Sequence, residues 1–329
     1  MDEHDGGPGP SGGDPGRLSA GESVLVVWFH DARCEAVELA GGKGASLASM
    51  TRAGLPVPEG FVVAASVLES ALEAAGRRDQ VLRLLDSGAE DAAAVASVRR
   101  IVLDLELPDE VGREVAQAYG ELGEDRLVAV RSSATAEDSE AASFAGQQET
   151  YLNVRGGEEV GRRVRECWAS FFSERAVFYR SRKGSLADLA MAVVVQRQLA
   201  PEKAGVMFTV DPVRRRRDQM VVEAVWGLGE LLVSGQVTPD HYVLARDGRV
   251  KRAQVAVQPV ALVALPEGGT REEMLDPERG GSRVLGDGEL AQLAGLGNRL
   301  QEHFGGPQDV EWAFQEGRLY LLQSRPVTA

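Results

Sequence analysis

Apolar and polar residues alternate in two short runs near the end of the chain, at residues 309–314 and 318–326. Successive side chains of a β-strand point to opposite faces, so this alternation predicts two strands. Three residues, Gln315, Glu316 and Gly317, separate the runs, and a short connection ending in glycine is typical of a β-hairpin. The pattern therefore predicts a hairpin with residues 315–317 as its loop.

The predicted hairpin has one polar and one apolar face. A three-residue loop gives the following pairs: Phe314 with Arg318, Glu311 with Leu321, and Asp309 with Gln323. A two-residue loop would instead place the acids and the Gln/Arg pair on opposite faces. The polar face consists of Asp309, Glu311, Gln323 and Arg325. The apolar face, which we expect to pack into a core, consists of Val310, Trp312, Phe314, Tyr320 and Leu322.

The polar face carries the chemistry of a nucleotide site. Carboxylate and amide oxygens suit a hard cation such as Mg²⁺, so Asp309, Glu311 and Gln323 are candidate metal-binding residues. The guanidinium of Arg325 suits the phosphate that such a cation would carry. A half-buried hairpin with a solvated polar face explains these four residues equally well, and the rest of the chain must decide.

Hydrophobic patterning elsewhere predicts both strands and helices. Runs of branched residues predict buried strands, and apolar residues at three- and four-residue steps predict helices. The predicted strands include residues 24–29, 60–64, 126–131, 191–200, 204–212, 221–226, 242–244 and 250–257. The predicted helices include a helical cap within residues 66–122, one long helix over residues 159–182 and a last helix over residues 287–304.

Composition narrows the possible classes of protein. The chain has 329 residues, of which 43% are hydrophobic and 26% charged, and its net charge of −14 disfavours nucleic acid as a partner. Apolar runs are too short to span a membrane, and two cysteines are too few for a disulfide framework, so we expect a cytoplasmic protein. Residues 1–21 are rich in glycine and proline, which predicts a disordered tail.

Two segments could bind phosphate. Residues 39–50 form a glycine-rich turn leading into a helix, where free amides and Lys43 would make an anion site. A predicted strand delivers Arg131 to a loop of small residues that includes Gly146, whose backbone could approach phosphates closely. The alternatives are an exposed lysine at a helix start and a flexible surface loop. Lys43 is followed by glycine, so the first segment is not a Walker A loop.

A polar connection could bind the adenine base. The strand predicted over residues 191–200 turns polar at Gln196 and Gln198, next to Leu199, and such a connection between lobes could present backbone groups to a base. The segment 226–240 contains glycines, but no βαβ unit follows it, which disfavours a parallel dinucleotide-binding fold.

Together these motifs resemble the ATP-binding domain of phosphoenolpyruvate synthase, pyruvate phosphate dikinase and rifampicin phosphotransferase. The resemblance covers about residues 23–328, and its blocks occur in the family's order. They are residues 41–47 (GGKGASL), 54–61 (GLPVPEGF), 130–134 (VRSSA), 143–147 (SFAGQ), 205–212 (GVMFTVDP), 226–240, 309–312 (DVEW) and 322–326 (LQSRP).

The resemblance implies an α+β, ATP-grasp-like fold with ATP between two lobes, at residues 22–195 and 196–329. It implies that Lys43, Arg131 and Arg325 are catalytic and hold phosphates. It further implies that Glu311 and Gln323 bind Mg²⁺ with support from Asp309, and that the remaining nucleotide contacts come from Gly146, Gln196, Gln198 and Leu199.

The family passes a phosphoryl or pyrophosphoryl group from ATP to a histidine on a swivelling domain. The four histidines, His4, His30, His241 and His303, lack the small-residue setting of that carrier, and the chain ends at Ala329. We therefore expect transfer to a histidine of a separate partner protein. A self-sufficient kinase of a small molecule and a non-catalytic nucleotide sensor are the alternatives.

Overall fold

The computed structural model describes residues 24–88, 91–123, 125–135, 149–183, 186–214 and 216–327. The predicted tail and Gly146 lie outside these ranges. Within them, no helix is both long enough and apolar enough to cross a membrane.

The described chain contains both helices and antiparallel strands, which confirms a mixed α+β fold. The strands are β1 (Val26–Trp28), β2 (Gly60–Val63), β3 (Val128–Ala134), β4 (Thr150–Val154), β5 (Met191–Arg197), β6 (Lys203–Phe208), β7 (Gln219–Trp226), β8 (Asp240–Ala245), β9 (Val250–Gln254), β10 (Val260–Ala264), β11 (Thr270–Met274), β12 (Gln308–Gln315) and β13 (Arg318–Pro326). The helices are α1 (Val37–Arg52), α2 (Val67–Ala74), α3 (Arg78–Gly88), α4 (Ala92–Leu103), α5 (Asp109–Leu122), α6 (Gly157–Ser170), α7 (Glu174–Lys183), α8 (Glu230–Val233), α9 (Pro277–Gly280) and α10 (Asp287–Phe304), with a 3₁₀ turn at Ala32–Glu35.

The described strands form two large sheets and one ribbon. The first sheet has the order β1-β2-β5-β3-β4, the second has the order β13-β12-β6-β7-β8-β9, and β10 pairs with β11. Neighbouring strands within each sheet run antiparallel, as expected for a fold that is not of the dinucleotide-binding type. Strand β5 continues to Arg197, so the lobe boundary predicted at residues 195/196 falls within a strand of the first sheet.

Two hydrophobic cores hold the layers together. The first lies between one face of the first sheet and helices α2 to α7, and it contains Trp168. The second joins the opposite face of that sheet to α1, α10 and the second sheet, and it contains Trp312. Strand β5 is buried on both faces, because Val193 and Val195 enter the first core while Val194 enters the second. Helix α1 therefore contributes to a core shared by both sheets.

The long helix predicted over residues 159–182 is wrong, because two helices occupy this segment. Helix α6 ends at Ser170, and α7 begins at Glu174. The hydroxyl of Ser173 accepts a hydrogen bond from the backbone N–H of Ala176 at 3.3 Å, which caps the start of the second helix. The apolar periodicity continues across the break because Phe172 and Val177 are both buried in the same core.

The hairpin register differs from the predicted one. Gln315 pairs with Arg318, so the loop has two residues, Glu316 and Gly317, both with positive φ. This combination is typical of a tight hairpin turn. The positive φ of Glu316 is accompanied by hydrogen bonds from its backbone N–H to the carboxylate of Glu202.

A β-bulge at Leu322 compensates for the shorter loop. Beyond it, Glu311 pairs with Gln323 and Asp309 with Arg325, so the four polar residues share one face, as predicted, through different pairs. The bulge also reverses the apolar face of β13. Leu321 joins Trp312 in the second core, whereas Tyr320 and Leu322 lie with Ala313 on the other side.

Candidate functional site

Arg131 joins the two large sheets. It lies on β3 of the first sheet, and its side chain is 10% exposed. Its Nη2 donates to Oε1 of Gln323 at 2.7 Å and lies 3.3 Å from Oε2 of Glu311, and its Nη1 donates to the carbonyl of Leu322 at 3.0 Å. The bulge thus turns a backbone carbonyl toward Arg131, and one side chain connects a strand of one sheet with both strands of the hairpin.

The second polar pair of the hairpin lies next to the first. Nε of Arg325 donates to Oδ2 of Asp309 at 2.8 Å, and the Arg325 side chain is 59% exposed whereas that of Asp309 is 13% exposed. Burial raises the pKa of the Asp309 carboxyl, and the positive charge of Arg325 opposes this rise. Asp309 is therefore held by its partner at the edge of the site.

The donor set fits a magnesium ion that is carried by a phosphate. Glu311 and Gln323 face each other on neighbouring strands and offer carboxylate and amide oxygens. Among the described residues, no group of three or more His, Cys, Asp or Glu side chains could hold a metal ion. Mg²⁺ commonly binds through one or two protein oxygens together with substrate phosphates, which is what these residues could supply.

Lys43 lies at a break in α1. Gly41 has φ 67° and interrupts the helix, so a second helical segment begins directly after it. The hydroxyl of Ser133 occupies the break, where it accepts from the backbone N–H of Gly44 at 3.1 Å and donates to the carbonyl of Ala40 at 2.8 Å. Nζ of Lys43 donates to the carbonyl of Ser132 at 2.8 Å and is buried. The glycine-rich segment is thereby fastened to β3, the strand that carries Arg131.

A cavity of about 340 Å³ lies between the sheets beside Arg131. Side chains and backbone from both sheets and from α8 form its walls. The lining residues are Ala129, Arg131, Thr150, Leu152, Gln196, Arg197, Gln198, Leu199, Pro201, Ala204, Gly205, Val206, Leu228, Gly229, Glu230, Leu232, Val233, Glu311, Trp312 and Leu322. A larger cavity of about 900 Å³ lies among the helices of the cap, where the sequence shows no candidate chemistry.

The predicted site residues divide into three groups. Those that line the 340 Å³ cavity are Arg131, Gln196, Gln198, Leu199 and Glu311. Those outside its lining are Lys43, Asp309, Gln323 and Arg325, although Gln323 contacts Arg131 directly. Gly146 lies outside the described residues.

Several polar groups at the end of β5 form hydrogen bonds within the protein. Nε2 of Gln196 donates to the carbonyl of Pro58 at 3.3 Å, and the backbone N–H of Gln198 donates to the carbonyl of Leu127 at 2.9 Å. These contacts fix the strand end that forms one wall of the cavity.

Sequence reasoning missed two polar residues of the cavity wall. Thr150 pairs with Arg131 across β3 and β4, and the alternation of residues 150–154 could have revealed that strand. Glu230 starts α8, in a segment whose glycines suggest only a dinucleotide motif, and desolvation raises the pKa of its carboxyl. Folding of the chain brings both to the cavity that Arg131 and Glu311 also line.

Comparisons with known proteins identify the family. The family described as pyruvate phosphate dikinase, AMP/ATP-binding domain, matches residues 37–329. A probable phosphoenolpyruvate synthase of Methanocaldococcus jannaschii is 41% identical over 321 residues, which are 94% of this chain and 27% of that protein. A rifampicin phosphotransferase of Bacillus subtilis is 37% identical over 316 residues, covering 93% of this chain and 36% of that protein.

Similarity to solved structures is much weaker. The ATP-grasp ligase PsnB, in complex with a precursor peptide and AMPPNP, shares 12% identity over 92% of this chain and 54% of that chain, with a TM-score of 0.27. The chain spans about a quarter to a third of the two curated relatives named above. With a family match over nearly all of its length, the chain belongs to the pyruvate phosphate dikinase AMP/ATP-binding domain family.

Proposed function

We propose that this chain is an ATP- and Mg²⁺-dependent phosphotransferase module with an ATP-grasp-like arrangement of two lobes. It binds ATP between the two sheets and passes a phosphoryl or pyrophosphoryl group to a histidine of a separate protein. The relatives named phosphoenolpyruvate synthase and rifampicin phosphotransferase support phosphate transfer as the reaction class.

One observation carries this proposal. Arg131 of the first sheet meets Glu311 and Gln323 of the second at the edge of a cavity of about 340 Å³. Small-molecule sites have volumes of about 300–1,000 Å³, so the cavity can hold a nucleoside. A cation, a carboxylate and an amide at its edge match the requirements of the attached phosphates and their metal ion.

Different residues would bind the base and the phosphates of the nucleotide. Gln196, Gln198 and Leu199 form the wall that would bind adenine. The residues that would bind the phosphates are Arg131, Arg325, Gly146 and Lys43, of which Lys43 must first leave the carbonyl of Ser132.

The facing oxygens of the hairpin would hold the metal ion. Glu311 and Gln323 would bind Mg²⁺, and Asp309 would support them from the next pair of the hairpin. When bound, the ion neutralises charge on the transferring phosphate.

The described histidines support an acceptor outside this domain. His30 stacks on Trp28 with ring centroids 5.8 Å apart, and Nε2 of His303 lies 2.8 Å from the hydroxyl of Ser49. His241 lies on β8, and none of these three lines the 340 Å³ cavity. Phosphoryl transfer depends mainly on positioning, which favours an in-line acceptor other than these three histidines.

Product analysis tests the proposal. Purified chain with ATP and Mg²⁺ should bind nucleotide with little turnover, and a swivelling-histidine protein from the same genome should produce AMP and an acid-labile phosphoprotein. ADP formation with a small acceptor and no second protein would instead show a self-sufficient kinase. Binding without turnover under both conditions would show a sensor.

A further inference from the structure

The oxygens assigned to the metal already have a cationic partner within the chain. Nη2 of Arg131 lies 2.7 Å from Oε1 of Gln323 and 3.3 Å from Oε2 of Glu311. Nη1 is held by the carbonyl of Leu322 at 3.0 Å, so the guanidinium is fixed at two points of its planar fork. Arg131 and a divalent cation would thus compete for the same two side chains, Glu311 and Gln323.

A bare cation at this position would meet electrostatic repulsion. The guanidinium is permanently charged, and the Arg131 side chain is only 10% exposed, so water screens it poorly. Phosphate oxygens change this balance, because they offer Arg131 charged acceptors and bring compensating negative charge. The nucleotide and the metal would then bind together.

We propose that Arg131 makes this site selective for a divalent cation that arrives with a nucleotide. Without nucleotide, Arg131 donates to the side-chain oxygens of Glu311 and Gln323. When phosphate oxygens become the acceptors of Arg131, these two side chains are released. The inference rests on the proposed function, since it takes these two residues as metal-binding. It adds to phosphate binding a second task for Arg131, the exclusion of bare cations.

The ligand set supports this assignment. Two side-chain oxygens, one from β12 and one from β13, face Arg131, and the neighbouring Asp309 is engaged by Arg325 at 2.8 Å. Such a small set suits a metal that completes its coordination with phosphate oxygens. The competing explanation is that Arg131 only braces the two sheets, in which case its loss would lower stability without changing metal affinity.

Binding of Mn²⁺ without nucleotide separates these explanations. Free Mn²⁺ is measured by electron paramagnetic resonance for the wild type, Arg131→Ala and Arg131→Gln. We expect both variants to bind Mn²⁺ at least tenfold more tightly than the wild type. Arg131→Gln keeps an amide that can donate to Gln323, so it provides a reading if Arg131→Ala fails to fold.

Two further variants control for charge and for location. Arg318→Ala removes an exposed positive charge from the start of β13, outside the cavity lining, and should leave Mn²⁺ affinity within about twofold of the wild type. Adding Glu311→Gln to Arg131→Gln should abolish the gain. Equal Mn²⁺ affinity of the wild type and Arg131→Gln would overturn the proposal, as would an equal gain in Arg318→Ala.

The Mn²⁺ comparison and the proposed function can fail independently of each other. ATP binding by the wild type is measured separately by calorimetry. Absence of ATP binding would refute the proposed function, whereas the Mn²⁺ comparison requires no nucleotide. A tenfold gain in Arg131→Gln would still support competition between Arg131 and the cation.

Discussion

Replacement of Gly41 by alanine should destabilise the junction between α1 and β3. Gly41 has φ 67°, and a Cβ atom there would lie 2.2 Å from the carbonyl oxygen of Ser133 and 2.4 Å from its hydroxyl. Neither distance is compatible with van der Waals contact, so β3 must move away. The variant also places alanine at φ 67° and ψ 171°, a conformation that essentially only glycine adopts, which costs about 1–3 kcal/mol.

The loss of unfolding free energy in Gly41→Ala can be compared with that in a matched control, Gly54→Ala. Displacement of Ser133 breaks its two hydrogen bonds, to Gly44 and Ala40, each contributing about 1 kcal/mol. Gly41→Ala should therefore lose about 3–5 kcal/mol of unfolding free energy. Gly54 has nearly the same φ, 66°, and a methyl group added there would meet nothing within 4 Å, so Gly54→Ala should lose only about 1–2 kcal/mol.

Urea unfolding followed by tryptophan fluorescence measures both losses, because Trp168 and Trp312 report on the two cores. Alanine also restricts the unfolded chain, but this effect is the same at both positions and cancels in the comparison. An equal loss of stability in the two variants would refute the argument from the Ser133 contact. Gly41→Ala should also weaken ATP binding, since β3 carries Arg131.

Three further outcomes are expected. Arg131→Ala should weaken ATP binding roughly ten- to a hundredfold in a folded protein, because a charge-assisted contact contributes about 1.5–3 kcal/mol; unchanged affinity by calorimetry would contradict this. Glu311→Gln should suppress partner-dependent AMP formation while circular dichroism stays that of the wild type. Burial raises the pKa of Cys34 to about 12 and also raises that of Cys167, so neither thiol should react with a disulfide reagent at about pH 8 until denaturant is added.

Local sequence signals predicted the elements whose ends are determined by residues close to them in the chain. Helix α10 has the bounds predicted from its leucine periodicity, and Gly305, with φ 70°, ends it in the left-handed conformation. The break between α6 and α7 escaped prediction because buried residues continue the helical period on both sides of Ser173.

The site was predictable in its residue types but not in its register. The polar face of the hairpin follows from alternation, whereas the bulge at Leu322 coincides with a hydrogen bond to Arg131, 191 positions earlier in the chain. Periodicity within a strand contains no information about such a contact. Thr150 and Glu230 were missed for the same reason, since sheet pairing and packing bring them to the cavity.

The position of α1 against both sheets has a consequence for synthesis of the protein. Ser46 of α1 donates its hydroxyl to the carbonyl of Ser324, 278 residues later. At roughly 5–20 residues per second, about 15–60 seconds pass between the synthesis of these two residues. During that interval the face of α1 that contacts β13 in the folded protein has no native partner. Other contacts of the nascent chain, or a chaperone, must therefore cover this face until β12 and β13 have been synthesised.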